Sequence, residues 1–150
     1  MGMIFWFSAQ NAAESSQLSG QTAFRSALWF WPGFSRLSLE AQTAWVEGMQ
    51  FWVRKSAHFL VYTGLGFWLC WGFSSFSWRL RKKIGWAWLA GTFYAVTDEL
   101  HQLFVPGRSG QLRDVLLDSA GVLTGVLVFC ALAYFWKKAA AFSGRKKRLG

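Results

Sequence analysis

Three long stretches of this chain carry almost no charge, and they limit what it can fold into more than any other feature. Residues 56–78 contain no Lys, Arg, Asp or Glu, residues 84–105 contain only two acidic residues, and residues 115–136 contain only one. A helix that crosses the ~30 Å hydrocarbon core of a bilayer needs about 20 mainly apolar residues. The stretches therefore predict three complete transmembrane helices in an all-α integral membrane bundle. The alternative is a soluble core of three buried helices.

Composition agrees with a membrane protein. Of the 150 residues, 53% are hydrophobic and 19% aromatic, whereas only 15% are charged. A soluble domain rarely combines so many large apolar side chains with so few charges. The two cysteines, Cys70 and Cys130, fall within the first and third apolar stretches. Because they have neither metal-ligand spacing nor the loop context of a structural disulfide, we interpret them as small packing residues.

The basic residues predict how the helices are oriented. Ten of the sixteen Lys and Arg residues lie in two regions without any acid, the connection at 79–83 and the tail at 137–150. With three spans these regions share one side of the membrane, and an excess of Lys and Arg in short loops marks the cytoplasmic side. We therefore expect a cytoplasmic C-terminal tail, with residues 8–54 and 107–113 outside. A basic tail directly after a span favours contact with anionic lipid over nucleic acid.

The first third of the chain is more polar. Residues 1–8 are too short for a signal peptide or a span, so we interpret them as the end of a truncated fourth transmembrane helix; the alternative is an N-terminus at the membrane interface. Residues 9–23 are small and polar and predict a loop, and LWFWPGF predicts a turn at headgroup level. Ser38 is a suitable N-cap for an amphipathic interfacial helix that runs into the first span. The chain has no internal repeat, and we treat 1–150 as one domain.

Within the first two apolar stretches, the histidines and the acids lie towards one end only. Lys55, His58 and Tyr62 are spaced by three and four residues, so they share one helix face. The polar residues near the end of the second stretch are Tyr94, Asp98, Glu99, His101 and Gln102. Burying two adjacent acids in such a segment costs free energy, so we expect them to have charged or polar partners and a functional role.

The third stretch begins with its own acids. Pro106-Gly107 is expected to stop the second helix in a turn, and the short link that follows predicts antiparallel neighbours. Asp114 and Asp118 then lie one helical turn apart. Gly121 and Gly125 follow on the same face and would let another helix approach closely.

Three helices are therefore expected to bring their ionisable residues to the same, outer end of the bundle. The cations available for neutralisation are Lys55, His58, Arg108 and Arg113, and the acids are Asp98, Glu99, Asp114 and Asp118. Charged groups within membrane proteins are rare, face the interior and mark functional sites. The pattern predicts such a site, and a purely structural ion-pair network is the alternative.

These residues also carry a family resemblance. The segments RKSAHFLVYTGLGF and YAVTDELHQLFVPGRSGQLRDVLLDSAGVLTG resemble the VanZ-like family of small bacterial membrane proteins, and the likeness extends over residues 4–136. The matching positions are Lys55, His58, Tyr62, Asp98, Glu99, Gln102, Pro106, Gly107, Arg108, Asp114 and Gly121. Many family members have Asn where this chain has Asp118, which adds a charge to the site.

The resemblance implies a multi-pass protein of the bacterial cytoplasmic membrane, and the family takes its name from a protein associated with resistance to the glycopeptide teicoplanin. We expect an outward-facing site that binds or modulates an amphiphilic envelope ligand, either a lipid-linked wall precursor or a glycopeptide. The residues expected to bind it are Lys55, His58, Tyr62, Asp98, Glu99, Gln102, Arg108 and Asp114.

Two alternatives stay open at this point. One is an enzyme acting on a lipid-linked substrate, with Asp98 or Glu99 as general base and His58 as acid. The other is a small proton-coupled carrier, although the acids all lie at one end of the helices and the polar residues midway along them are few, mainly Thr63 and Thr124. No cofactor and no metal are predicted, although His58, His101 and an acid could form a metal site. The partner predicted from the residues is the lipid bilayer, and nucleic acid is not expected.

Overall fold

The computed structural model describes residues 12–106 and 111–146, and within these ranges all regular structure is helical, as predicted. The elements are α1 (Ala12–Phe30), a short 3-10 helix (Phe34–Arg36), α2 (Leu39–Ser74), α3 (Leu80–Gln102) and α4 (Leu112–Lys146). The predicted truncated helix at residues 1–8 lies outside the described residues.

Helix α1 corrects the prediction of a loop over residues 9–23. Its hydroxyl side chains bond within the helix: Ser19 Oγ donates to Ser15 O at 2.8 Å, and Thr22 Oγ1 donates to Leu18 O at 2.9 Å. Ser19, Ala23 and Ala27 are buried, and α1 packs against α2. Tertiary packing thus outweighs the weak helix propensity of a Ser-rich segment.

The sequence signals between α1 and α2 act as predicted. Helix α1 ends at Phe30, and a turn follows at Pro32 and Gly33. The Ser38 side chain caps α2 by accepting a hydrogen bond from Ala41 N at 3.3 Å. From there α2 continues unbroken for 36 residues, about 54 Å at 1.5 Å per residue. The predicted interfacial helix and the first predicted span therefore form one continuous helix.

Helices α2 and α4 run parallel and make the most extensive contact of the bundle. A Cβ on Gly125 would lie 1.9 Å from Thr63 O, one on Gly66 would lie 2.1 Å from Val122 O, and one on Gly121 would lie 2.7 Å from Phe59 O. The two backbones thus touch without intervening side chains, which is the close approach that small residues permit. The packing role predicted for Gly121 and Gly125 is confirmed.

Helix α3 runs antiparallel to α2 and α4 and contacts both. Lys83, near its beginning, donates to Ser74 O at the end of α2 at 2.9 Å. Its buried Ala87 and Ala95 pack with Val122 and Val126 of α4 in the apolar core. All three long helices are therefore aligned side by side, with the N-terminal end of α4 beside the C-terminal end of α3.

Among the described helices, only α4 is long and apolar enough to cross a membrane, over Leu112–Ala141, as judged by length and composition. In its most apolar 18-residue segment, 33% of the residues are buried. Of the three predicted spans at 56–78, 84–105 and 115–136, only the last lies in a helix that meets this criterion of length and composition. Trp, Tyr, Gly and His lower the mean hydropathy of α2, and Lys, Arg and the acids do so in α3.

The outward faces of all three long helices are nevertheless apolar. The most exposed large side chains there include Leu60, Trp68 and Trp71 on α2, Trp86, Leu89 and Phe93 on α3, and Leu116, Leu127 and Leu132 on α4. The buried polar side chains include Asp98, Glu99, Gln102, Asp118 and Ser119. Apolar side chains thus face outward, and several charged ones face inward.

Candidate functional site

The outer part of the site is an ion pair between two helices. Lys55 of α2 donates to Asp114 Oδ1 of α4, and each side chain is only about one-fifth exposed. The Lys55 Nζ also lies 5.4 Å from the centre of the Phe51 ring, a distance at which cation–π attraction contributes. The Lys55 ammonium group is therefore already paired with the Asp114 carboxylate and in contact with the Phe51 ring.

The next helical turn holds a second pair. His58 Nδ1 of α2 lies 3.7 Å from Asp118 Oδ2 of α4. Because α2 and α4 are parallel, the His58–Asp118 pair lies about one helical turn beyond the Lys55–Asp114 pair on both helices. His58 remains partly exposed, whereas the Asp118 side chain has no exposed surface.

Asp98 of α3 completes a group of three. One ligand-type atom from each of His58, Asp98 and Asp118 lies within 4.8 Å of the other two. Asp98 is also fully buried, and its Oδ2 accepts a long hydrogen bond from Gln102 Nε2 at 3.5 Å. We call His58, Asp98 and Asp118 the acidic trio.

Several buried oxygen atoms in this region have no hydrogen-bond partner among the described residues. They are Asp98 Oδ1, both carboxylate oxygens of Asp118 and Glu99 Oε1. Tyr62 is fully buried and lies within electrostatic range of Asp98 and Asp118. Buried polar atoms are normally paired, so this cluster has unused capacity to bind.

Glu99 faces the link between α3 and α4. Its Oε2 accepts a hydrogen bond from the backbone N–H of Gln111 at 2.9 Å, and only 5% of the residue is exposed. The adjacent acids therefore differ: Asp98 joins the acidic trio, and Glu99 holds the start of the last helix.

A neutral polar network involves Ser119, the residue that follows Asp118. Ser119 Oγ lies 2.8 Å from Thr92 Oγ1 and accepts a hydrogen bond from Trp88 Nε1 at 3.1 Å. The network joins α3 to α4. Sequence reasoning missed this network, because Ser, Thr and Trp occur throughout the chain without a distinguishing pattern.

The structure brings together most of the predicted binding residues and supplies the pairing that the sequence left open. Lys55 pairs with Asp114, and Arg113 is exposed. Arg108 lies outside the described residues. Asp118, absent from the predicted binding set, belongs to the centre of the group; its spacing of one turn from Asp114 was the signal. The suggested metal set of His58 with His101 is replaced by His58 with Asp98 and Asp118.

Cys70 and Cys130 are also closer than their sequence positions indicate. Both are free, and their Sγ atoms lie 4.0 Å apart across the α2–α4 contact. They are about 12 residues, or about 18 Å, from the acidic trio along their helices and do not belong to it.

Comparisons with known proteins supply the remaining information. No curated protein and no solved structure matches the chain. A family model, described as VanZ/LLP1, matches residues 1–135. This range includes every residue of the acidic trio and the Lys55–Asp114 pair. The chain therefore belongs to the VanZ-like family.

Proposed function

We propose that this protein spans the bacterial cytoplasmic membrane several times and binds the polar head of an amphiphilic envelope ligand at its outer end. Candidate ligands are a lipid-linked wall precursor and a glycopeptide antibiotic, and membership of the VanZ-like family supports a link with glycopeptide resistance.

The apolar outer surface supports a multi-pass bundle over a single span. Helix α4 exposes most of its apolar window, and α2 and α3 add exposed Trp, Leu and Phe around it. From Asp118 to Lys137 along α4 is about 28 Å at 1.5 Å per residue, close to the ~30 Å hydrocarbon thickness. This spacing would put the acidic trio near one boundary and the basic tail at the other.

The charge distribution supports an outward-facing site. The cluster at 79–83 and the residues from 137 onward contain Lys and Arg without acids, which is typical of the cytoplasmic side. The acidic trio lies at the other end of the same helices. In this orientation the trio would meet ligands that arrive from the outer leaflet or from outside the cell.

The observation that carries the proposal is the set of buried carboxylate oxygens without partners, beside an exposed apolar rim. Phe104, two residues after the end of α3, is 84% exposed, and Leu112, at the start of α4, is 76% exposed. An acyl or polyprenyl chain would lie along such a rim, and ammonium groups or sugar hydroxyls would donate to Asp98 and Asp118. Lys55 is paired with Asp114, so a phosphate would have to compete for it.

Binding to the purified protein in nanodiscs tests the proposal. The probes are teicoplanin and undecaprenyl pyrophosphate, with wild type compared against Asp98→Asn and Asp118→Asn. We expect saturable binding of one probe that either substitution weakens about tenfold or more, because each removes a charge-assisted hydrogen bond of about 1.5–3 kcal/mol.

The matched control is Glu47→Gln, which removes an exposed acid from α2 away from the trio. It should bind like wild type. A deletion strain complemented with each variant gives the cellular counterpart, as its sensitivity to glycopeptides should follow the binding data. Absence of saturable binding to both probes, together with full complementation by both trio variants, would overturn the proposal.

A second candidate function is acid/base catalysis on a lipid-linked substrate. It is favoured by the proximity of His58 to Asp118 and Asp98, an arrangement able to move a proton. Turnover of a radiolabelled lipid-linked pyrophosphate by wild type, but not by His58→Gln, would establish it. The carrier alternative gains less support, since Thr63 and Thr124 each donate to a carbonyl of their own helix.

A further inference from the structure

We propose that the acidic trio binds a divalent metal ion of the zinc type. The geometry is the first argument. The candidate ligand atoms of His58, Asp98 and Asp118 all lie within 4.8 Å of one another, and His58 Nδ1 is 3.7 Å from Asp118 Oδ2. In a tetrahedral zinc site with bonds of about 2.0–2.1 Å, neighbouring ligand atoms lie about 3.3 Å apart. Small side-chain rotations would therefore bring the three atoms into coordination.

The unpaired oxygen atoms are the second and independent argument. Asp98 Oδ1 and both oxygens of Asp118 have no hydrogen-bond partner in the described part of the chain, although both residues are fully buried. The fully buried hydroxyl of Tyr62 lies beside them and interacts with Asp98. Buried charges are generally paired or bound to a metal, and a dication would satisfy both carboxylates at once.

The surroundings would hold the ligands in place. His58 and Asp118 lie on the two helices whose backbones touch at Gly121 and Gly125, so their separation is fixed. Asp98 comes from the third helix, where Gln102 donates to it at 3.5 Å. Outer contacts of this kind orient metal ligands. The trio thus joins all three long helices at one point.

The ligand types select the metal. One imidazole and two carboxylates suit Zn²⁺ or a neighbouring transition metal, whereas Mg²⁺ prefers oxygen ligands and keeps several waters. Three protein ligands also leave a coordination position for water or another molecule. This metal site goes beyond the proposed ligand. A bound metal would take up the carboxylate oxygens of Asp98 and Asp118, so an envelope ligand would then bind at the open coordination position, and the Zn²⁺ titration tests the metal without that ligand. The metal site also replaces the expectation from sequence that the protein holds no metal.

Zn²⁺ alone is the probe. The full chain is purified in detergent with a tag that lacks histidine, stripped with a chelator and titrated with Zn²⁺ in competition with a chromophoric indicator. Co²⁺ is then bound, because its visible absorption reports nitrogen and oxygen ligation. We expect one Zn²⁺ per chain, a higher melting temperature with Zn²⁺, and little competition from millimolar Mg²⁺.

Substitutions identify the ligands. His58→Gln, Asp98→Asn and Asp118→Asn should each weaken Zn²⁺ binding by more than about 100-fold, because even residues that only support metal ligands contribute 10–100-fold. The matched controls are Glu40→Gln and Glu47→Gln, which each remove an exposed acid of α2 outside the site. Both should retain wild-type affinity.

Three results would overturn the proposal: substoichiometric Zn²⁺ on wild type with no change in melting temperature, equal affinity in the trio variants, or equal losses in the controls. If a trio variant does not fold, the wild-type titration and Co²⁺ spectrum decide alone. Tight one-to-one binding with a nitrogen-containing spectrum supports the site, and weak or multiple binding refutes it.

Discussion

Gly125 lies where α2 and α4 are closest, so replacing it with alanine tests the packing of the whole bundle. A Cβ at this position would lie 1.9 Å from Thr63 O and 2.7 Å from Phe67 N, and contacts under 3.0 Å are essentially never seen. The obstacle is backbone, which cannot rotate away as a side chain can. Helix α2 must therefore move by at least about 1.1 Å relative to α4.

The expected cost is at the upper end of the range for overpacking. Inserting one extra carbon into a well-packed core costs about 1–3 kcal/mol, and here the displaced element is a whole helix. We expect a loss of about 3 kcal/mol in the free energy of unfolding. For a domain of about this size, each kcal/mol lowers the melting temperature by about 2–4 °C, which gives a decrease of roughly 6–12 °C.

Thermal unfolding in a mild detergent, followed by intrinsic tryptophan fluorescence, measures the effect. The matched control is Gly64→Ala on α2, where an added Cβ meets nothing within 4 Å. It should leave the melting temperature unchanged or raise it slightly, because alanine favours a helix over glycine by about 1 kcal/mol. If both variants melt at the same temperature, the backbone contact between α2 and α4 does not exist and the reasoning fails.

Two further predictions test the same pair of helices. Mild oxidation should form a disulfide between Cys70 and Cys130 within one chain, since their Sγ atoms are 4.0 Å apart. The disulfide would shift the band of the wild-type protein on a non-reducing gel, and the shift should disappear in Cys130→Ser. An unchanged wild-type band would contradict the parallel packing of α2 and α4. Lys55→Met should lower the free energy of unfolding by about 1–3 kcal/mol because it leaves the Asp114 carboxylate without its charged partner. Adding Asp114→Asn should recover most of that loss in the same thermal assay, and additive losses would show that the pair does not interact.

The sequence predicted which end of the bundle is polar, because that depends on position along each helix. Lys55, His58 and Tyr62 lie at or near the start of the first apolar stretch, and Asp98 lies near the end of the second. The caps and turns were equally readable, since Ser38 and Pro32 act locally. These features depend on spacing alone, and spacing is visible in the chain.

The pairing of residues was not predictable in the same way. Which acid meets Lys55 depends on how far each helix is rotated about its axis, and Gly66, Gly121 and Gly125 set that rotation through contacts with the facing backbone. Helix α1 was missed for a related reason, since its Ser-rich sequence becomes helical where Ser19 and Ala23 are buried. Both outcomes depend on tertiary contact.

The direct contact between the α2 and α4 backbones has a mechanical consequence. Glycine removes the deformable layer of side chains between them, so a slide of one helix would have to break the Lys55–Asp114 and His58–Asp118 pairs together. Helix α3 instead approaches this pair through side chains, as where Gly91 faces the methyl groups of Val122. We expect α2 and α4 to move as one rigid body and α3 to move relative to them. Because Asp98 lies on α3, a ligand or ion that bridges it to His58 and Asp118 would restrict that motion.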